Sequence, residues 1–397
     1  MTATERWLLP AGVEEVLPPR AWRLDAMRRR LLDLYWSWGY DLMFPPFVEY
    51  LESLLTGNAH DLDLQTFKVM DQLSGRLLGI RADMTPQAAR IDAHVINCQG
   101  PTRLCYMGTV LRARPEGVST SRSPLQIGAE LFGHRGEASD IEVVRLMLET
   151  LRVAGVEGLT LDLGHVGIYR NLAAQAGLEG EAERELFEPL RRKAVGEYHQ
   201  ALAELPLGED HRAQLAALVE LHGGDEVLAQ ARERLSDAGS EVEAALDRLE
   251  TVAERVQACY PALSIHFDLA ELHSYNYENG LVFGAFHPAH GQALARGGRY
   301  DGIGEAFGRA RPATGFSADL KALMACVPDS NEGERPKGGV LAPAEEDAAL
   351  EEAIAGLRAQ GERVLRELPE TEFEADGHGC DRRLVRRGGH WEVVALD

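Results

Sequence analysis

A long helix-rich segment set between two strand-rich ones narrows the possible folds of this chain. Between about residues 167 and 260, Ala, Leu, Glu and Arg dominate and prolines are few, as in EAERELFEPLRRKAVGEYHQALAEL. Such a composition is typical of consecutive helices. Strand-like segments precede it and return from residue 265 in IHFDLAEL, GLVFGAF and QALARGG. The order predicts an α+β fold in which a mostly antiparallel sheet is flanked by helices and interrupted by a helical insertion.

Apolar periodicity, caps and glycines predict the individual elements. Helices are predicted at residues 20–38, 85–97, 139–153, 315–326 and 345–360, the second with a cap at Thr85. Strands are predicted at residues 40–44, 103–114, 125–132 and 159–163. Hairpins are predicted around Ser74-Gly75 and at Gly388-Gly389, because glycine suits tight turns between strands.

Composition also predicts where the domains divide. The polar stretch PDSNEGERPK is typical of a linker, at residues 328–337. It separates a core at residues 1–327, which contains the insertion at 167–260, from a small α/β domain at residues 338–397.

Charge and cysteine usage limit the kinds of partner. The 397 residues carry a formal net charge of −22, which opposes binding to the phosphates of tRNA or duplex nucleic acid. The five cysteines form neither a CxxC pair nor a zinc-ligand cluster, so we expect no metal and a reducing, cytoplasmic setting: Cys98, Cys105, Cys259, Cys326 and Cys380. No apolar run is long enough to cross a membrane, and the start lacks the pattern of a signal peptide.

The standard catalytic motifs are missing from the sequence. It contains no Walker A loop, no GxGxxG after a strand, no GxSxG and no HExxH. We therefore predict no cofactor and no catalytic residue from motif spelling.

One group of polar residues has chemical content. In LQIGAELFG, Gln126, Gly128 and Glu130 alternate and so share one face of a strand. In VLRAR, Arg112 and Arg114 are predicted to share a strand face in the same way. Together these side chains could form a polar pocket for a zwitterion or a phosphate, or they could line a solvated sheet face.

The order of several motifs resembles that of the class II aminoacyl-tRNA synthetases, and of the histidyl branch in particular. WGYDLMFPPFVE is similar to their first motif, which forms a dimer interface, with Pro46 and Glu49 in the matching positions. YMGTVLRARPEGVSTSRSPLQIGAELFG is similar to the second motif, and GGRYDG with ATGFSADLKAL to the third. HSYNYENGLVFGAF resembles the histidyl signature, so the resemblance covers about residues 8–327.

Departures from the synthetase pattern point away from adenylate formation. Ala322 follows Lys321 at the position of an ATP-binding arginine, and His273 replaces an arginine of the histidyl signature. Arg112 persists, but Arg114 stands where an acidic residue is expected. Adenylate formation needs positive charge at the α-phosphate, so these losses oppose it. Only about 60 residues follow the linker, whereas an anticodon-binding domain would need ~100.

A sequence with these substitutions and with the strings PLQIGAE and GCDRRLV resembles a paralogous family, the regulatory subunits of ATP phosphoribosyltransferase. This resemblance implies a noncatalytic dimer that activates a short, separate catalytic subunit in histidine biosynthesis. It further implies that histidine acts as an inhibitory effector, and that the chain binds neither tRNA nor a membrane. Because the old amino-acid pocket would serve as the sensor, the effect on activity would be a coupling free energy between sites.

The resemblance also implies a set of histidine-binding residues. Asp83, Thr85 and Gln126 would hold the ammonium group. Glu130, Tyr277 and Tyr300 would line the imidazole, and Arg112 would face the carboxylate. For Thr85 a capping role, and for the two tyrosines core packing, remain alternatives from the residues alone.

Three alternative functions remain open from the sequence. The chain could be a histidyl-tRNA synthetase, which would exchange pyrophosphate with ATP. It could be a stand-alone histidine-binding or RNA-sensing module, or an orphan scaffold.

Overall fold

The computed structural model describes residues 7–56, 61–115, 121–272, 278–327, 338–369 and 379–396. Its contacts divide the chain into two compact units. The first comprises Met1–Val16 and Met27–Ser330, and the second comprises Leu17–Ala26 and Asn331–Asp397. The linker predicted at residues 328–337 lies outside the described residues, and the predicted domain boundaries remain predictions.

Helices and strands alternate before the insertion. The helices up to that point are α1 (Arg20–Ser37), α2 (Leu51–Leu54), α3 (Asp61–Gln65), α4 (Thr85–Ile91) and α5 (Glu137–Ala154). The strands are β1 (Asp41–Met43), β2 (Val48–Tyr50), β3 (Phe67–Met70), β4 (Leu77–Ile80), β5 (Thr102–Thr109), β6 (Leu125–Phe132) and β7 (Thr160–His165). Glycines in left-handed conformation end α1 and α5, at Gly39 and Gly155, because glycine adopts a positive φ without strain.

The insertion is helical, as predicted, apart from one short strand. It contains α6 (Val166–Gln175), α7 (Gly180–Arg191), α8 (Val195–Glu204), α9 (Glu209–Ala217), β8 (His222–Gly223), α10 (Glu226–Arg234) and α11 (Ser240–Cys259). Alpha-helix α11 buries Leu246, Leu249, Val252 and Val256 at helical spacing. This face packs against α5, α6 and β7, which fixes the insertion to the sheet.

Strands return after the insertion and complete the main sheet. The remaining elements of the first unit are β9 (Ser264–Asp268), β10 (Leu281–Phe286), β11 (Ala293–Arg299), α12 (Ile303–Ala306), β12 (Ala313–Asp319) and α13 (Leu320–Cys326). The nine strands lie in the order β1-β5-β6-β12-β11-β10-β7-β9-β8. Of the eight neighbouring pairs in this described sheet, only β1–β5 and β7–β9 are parallel. The prediction of a mostly antiparallel sheet is therefore confirmed.

A separate three-stranded sheet has the order β2-β4-β3. The hairpin that joins β3 and β4 pairs Met70 with Leu77 and turns through Gly75, which has a φ of 70°. This is the hairpin that the sequence predicted around Ser74-Gly75.

From residue 338 onward, the described part of the second unit contains a small sheet against which helix α14 packs. Its elements are β13 (Val340–Ala342), α14 (Ala348–Ala359), β14 (Val364–Arg366), β15 (Arg382–Arg387) and β16 (His390–Ala395). The sheet order is β14-β13-β15-β16, and Leu350, Ile354 and Leu384 lie in its core. Gly388 and Gly389 both have positive φ and form the predicted turn between β15 and β16.

Several local predictions were wrong. Residues 315–319 form part of strand β12 rather than the start of a helix, because this segment pairs with β6 on one side and β11 on the other. Strand β5 ends at Thr109, so residues 110–114 do not continue it. Thr85 is the first residue of α4 and not its cap, and the end of that predicted helix, Asp92–Ile96, is π-helical.

None of the helices in the described ranges combines the length and the apolar character needed to cross a membrane.

Candidate functional site

The candidate site lies on one face of β6, which pairs with β5 on one side and β12 on the other. Gln126, Gly128 and Glu130 share this face, as their alternation predicted. Beta-strand pairing places Tyr106 opposite Gly128 on β5, and Gly315 opposite Glu130 on β12. All three polar-face positions of β6 are buried, so this is not a solvated sheet face.

Glu130 is the central acceptor of the site. Its side chain is fully buried, and Tyr106 donates its hydroxyl hydrogen to Oε1 over 2.8 Å. Tyr300, which follows β11, donates to Oε2. Burial raises the pKa of Glu130 to about 8, although the hydroxyl groups of both tyrosines and of Thr85 oppose the shift. The site therefore offers a buried carboxyl group surrounded by neutral donors.

Glycine on the neighbouring strand makes room for this carboxyl group. A Cβ atom at Gly315 would overlap Glu130 Oε2 and would lie 2.9 Å from the carbonyl oxygen of Ala129. The next residue across the sheet is also a glycine, Gly298 on β11. Because Gly315 has no side chain, the Glu130 carboxyl group can lie against its backbone.

A second polar cluster lies at the start of α4. Gln126 donates to Asp83 Oδ1 over 2.7 Å and accepts from the backbone N–H of Met84 over 3.0 Å. The backbone N–H of Thr85 also donates to Asp83 Oδ1, over 3.1 Å. The Thr85 hydroxyl lies 3.0 Å from that of Tyr106. Tyr106 therefore links the Asp83 cluster to Glu130.

Arg112 interacts with Asp319, which pairs with Gln126 across the sheet. Its backbone forms an isolated antiparallel β-bridge with Thr66. Burial raises the pKa of Asp319, and the positive charge of Arg112 opposes this shift. Asp319 Oδ1 accepts from the backbone N–H groups of Leu125 and Lys321, each over 3.0 Å. The prediction that Arg112 and Arg114 share one face of a strand was wrong, because β5 ends at Thr109. The proposed contact of Arg112 with a ligand stays a prediction.

Lys321 is held by the protein itself. Its Nζ donates to the carbonyl oxygen of Ser123 over 2.7 Å and lies 3.4 Å from Glu14 Oε1. The adjacent Ala322 places only a methyl group at the position that in the synthetase pattern carries an arginine.

The structure thus brings together five of the seven predicted histidine-binding residues: Asp83, Thr85, Gln126, Glu130 and Tyr300. Tyr277 lies outside the described residues, as does His273. Which ligand these residues bind stays a prediction.

Sequence reasoning missed Tyr106 and Gly315. Tyr106 lies on β5, the strand before the one that carries Gly128. Strand alternation places it on the same face as Gly108, and this alternation is the signal that could have identified it. Gly315 carried no such signal, because that segment was assigned to a helix.

Pro46 and Glu49, predicted at a dimer interface, are tied to α4. Gln87 donates to the carbonyl oxygen of Pro46 over 2.8 Å and to Glu49 Oε1 over 2.7 Å. Arg90 forms an ion pair with the same Glu49 oxygen over 2.6 Å. The Glu49 carboxylate therefore orients α4 within its own chain.

One group of three carboxylates among the described residues is close enough to hold a metal ion: Asp162, Asp268 and Glu271. Asp162 is already bonded to His266 over 2.8 Å, and Asp268 to Lys193 over 2.6 Å. Because the protein supplies these partners, we assign no metal to the cluster.

Two family models match the chain. Residues 12–323 match "Histidyl-tRNA synthetase", and residues 337–394 match "ATP phosphoribosyltransferase subunit HisZ C-terminal domain". The first match covers most of the chain and confirms the predicted class II synthetase-like core.

Curated relatives and a solved structure resemble the whole chain. An ATP phosphoribosyltransferase regulatory subunit of Thioalkalivibrio sulfidiphilus is 56% identical over all of both chains, and one of Pseudomonas putida is 53% identical over the same extent. A crystal structure described as an ATP phosphoribosyltransferase regulatory subunit/histidyl-tRNA synthetase from Bacillus halodurans has a TM-score of 0.81 and 27% identity. The match covers 94% of this chain and 95% of that one.

Proposed function

The chain belongs to the family of ATP phosphoribosyltransferase regulatory subunits, and from this membership we propose that it activates a separate, short catalytic subunit in the first step of histidine biosynthesis. We propose further that histidine bound at the Glu130 site inhibits the complex. The observation that carries the proposal is the full-length identity of 56%, together with the matched C-terminal domain at residues 337–394.

The geometry supports an amino-acid effector. Asp83 Oδ1 is held by Gln126 and Thr85, while Oδ2 accepts no hydrogen bond from the described residues. A ligand ammonium group can therefore bind Asp83 through Oδ2. Glu130 and Tyr300 would contact the imidazole, together with Tyr277. Arg112 would bind the carboxylate in exchange for part of its interaction with Asp319.

The same region supports the proposal of a noncatalytic role. Lys321 is engaged by Ser123 and Glu14, and Ala322 cannot bind a nucleotide base as an arginine does. The net charge of −22 opposes tRNA binding. We propose that the complex works in the cytoplasm, where ATP is available to its catalytic subunit.

We also propose that the chain forms a dimer through the region of Pro46 and Glu49. Strand β1 lies at the edge of the nine-stranded sheet, and exposed apolar side chains follow it. The exposed apolar side chains in this region are Leu42, Phe44, Phe47, Val48 and Tyr50. On the adjoining three-stranded sheet, Val69 is exposed on the same face as Val48 and Tyr50.

Replacing Phe44 by aspartate should convert the dimer to a monomer, because the side chain is 74% exposed and its aspartate would be buried on association. Light scattering coupled to size-exclusion chromatography measures the mass. Trp36→Asp is the matched control, because Trp36 is also 74% exposed but lies on α1. A dimeric Phe44→Asp variant would place the interface elsewhere.

The function is tested by adding this protein to the short catalytic subunit from the same genome and following turnover of ATP and phosphoribosyl pyrophosphate. We expect activation by the wild type and inhibition on addition of histidine. Glu130→Ala should retain activation, while inhibition should need at least about tenfold more histidine, because a hydrogen bond to a charged group is lost.

Glu157→Ala serves as the control for that experiment, since Glu157 is an exposed glutamate between α5 and β7. Absence of activation by the wild type would contradict the regulatory role. Exchange of pyrophosphate with ATP by this chain alone would instead favour a synthetase.

A further inference from the structure

Glu130 is placed to share a proton with a ligand. Its carboxyl group is fully buried, and each of its oxygens accepts from one tyrosine hydroxyl. Thr85 can in turn donate to Tyr106, so the hydroxyl chain is oriented toward Glu130. Each carboxyl oxygen has two lone pairs and uses one, so each oxygen can still interact with a ligand.

The groups that face Glu130 provide no positive charge. Gly315 of β12 contributes no side chain at all, and the Asp83 carboxylate before α4 disfavours ionisation of Glu130. The other titratable or hydroxyl groups that interact with Glu130 are neutral: Tyr106 on β5, Tyr300 after β11, Thr85 on α4 and Tyr40 after α1. An ionised Glu130 therefore lacks a cation among these described neighbours.

A basic ring on a bound ligand would supply the positive charge that these neighbours lack. Resting on the proposed function, we propose that Glu130 and the imidazole of bound histidine hold one proton jointly. The complex then contains the same single proton, whether it is written as carboxylate with imidazolium or as carboxylic acid with neutral imidazole. The site thereby selects ligands whose ring nitrogen is basic, and rejects rings that have the same shape but bind protons weakly.

The proton count gives the sign of the pH dependence. Free Glu130 has its pKa raised to about 8 by burial, whereas the imidazole of free histidine has a pKa of about 6.5. Between these values the carboxyl group is protonated and the ring is neutral, so binding exchanges no net proton. Below about 6.5 both carry protons and binding must release one, whereas above about 8 neither does and binding must take one up. Affinity should fall on both sides, approaching tenfold per pH unit.

Isothermal titration calorimetry of the full chain with histidine tests this count. Titrations in buffers of different ionisation enthalpy measure the protons exchanged. We expect release of nearly one proton at about pH 5.5 and no exchange at about pH 7.2. At about pH 8.8 we expect uptake of nearly one proton by the Glu130–imidazole pair, in addition to the uptake by the ligand amine. Histidine with a triazole in place of its imidazole, which keeps a ring N–H but is far less basic, should bind more weakly at about pH 7.2.

Glu130→Gln is the decisive variant, because the amide keeps the shape and an acceptor oxygen but cannot share the proton. Its affinity should fall at neutral pH by about tenfold. The proton uptake that depends on Glu130 above pH 8 should disappear, leaving only uptake by the ligand amine. Discrimination against the triazole analogue should also shrink.

Two outcomes separate the claims. Release of a proton at about pH 7.2 by the wild type would show that an ionised Glu130 binds a neutral ring, and would overturn the shared proton while leaving the histidine sensor intact. Absence of histidine binding at every pH would instead overturn the proposed sensor itself.

Discussion

Replacing Asp140 by alanine is expected to lower the free energy of unfolding by about 3–5 kcal/mol, because it removes the buried counter-ion of Arg299. Arg299 then keeps only the partly exposed carboxylate of Asp301, at 3.1 Å. Arg299 donates to Asp140 over 2.7 Å, and the two side chains are 2% and 0% exposed. Arg299 also donates to Ser139 and to the carbonyl oxygen of His134. The pair joins α5 to the end of β11, immediately before Tyr300.

Urea unfolding followed by circular dichroism measures this change. Arg152→Ala is the control, since Arg152 is 68% exposed and pairs with Glu149 one turn away. We expect the control to cost at most about 1 kcal/mol. If Asp140→Ala does not fold, Asp140→Asn keeps an acceptor for Arg299 and should lose less stability. Equal losses for Asp140→Ala and Arg152→Ala would mean that the buried pair contributes little.

Replacing Gly315 by alanine is expected to destabilise the fold by about 1–3 kcal/mol and to weaken histidine binding. The added Cβ atom would overlap Glu130 Oε2, so the carboxyl group must leave its hydrogen bond with Tyr300. The same substitution at Gly196 in α8, where nothing lies within 4 Å of an added Cβ, should be neutral or stabilising by up to about 1 kcal/mol.

A compensating variant distinguishes the clash from a general effect on β12. Aspartate is one methylene shorter than glutamate, so Glu130→Asp combined with Gly315→Ala should recover part of the lost stability. Histidine affinity, measured by calorimetry, should stay weak because the shorter carboxyl group no longer reaches the ligand. Unchanged affinity in Gly315→Ala alone would place the ligand away from Glu130.

The sequence predicted most reliably what depends on local pattern. The alternation of Gln126, Gly128 and Glu130 was sufficient to place them on one face of a strand. Paired glycines at 388 and 389 predicted a tight turn, because each takes a positive φ. The composition of residues 167–260 predicted helices, since that segment contains many strong helix formers.

The errors arose where distant segments decide the structure. Residues 315–319 form a strand because β6 and β11 pair with them from both sides, which no local signal reports. Thr85 loses its capping role because Asp83 accepts its backbone N–H, leaving its hydroxyl for Tyr106. The strand predicted to contain Arg112 was too long for the same kind of reason, since the end of β5 is set by the sheet.

The strand order also determines when the site can form during synthesis. Tyr300 and Glu130, joined by a hydrogen bond, are 170 residues apart, and the helices of the insertion lie between them in the chain. Contacts of such long sequence separation form slowly, because the entropy of a large loop is lost before they stabilise the fold. The insertion, rich in local contacts, can become helical while β12 is still in the ribosome. We therefore expect the proposed ligand site to be among the last parts of the first unit to assemble. A chain that ends before β12 should lack the site, because β12 lies between β6 and β11 in the sheet.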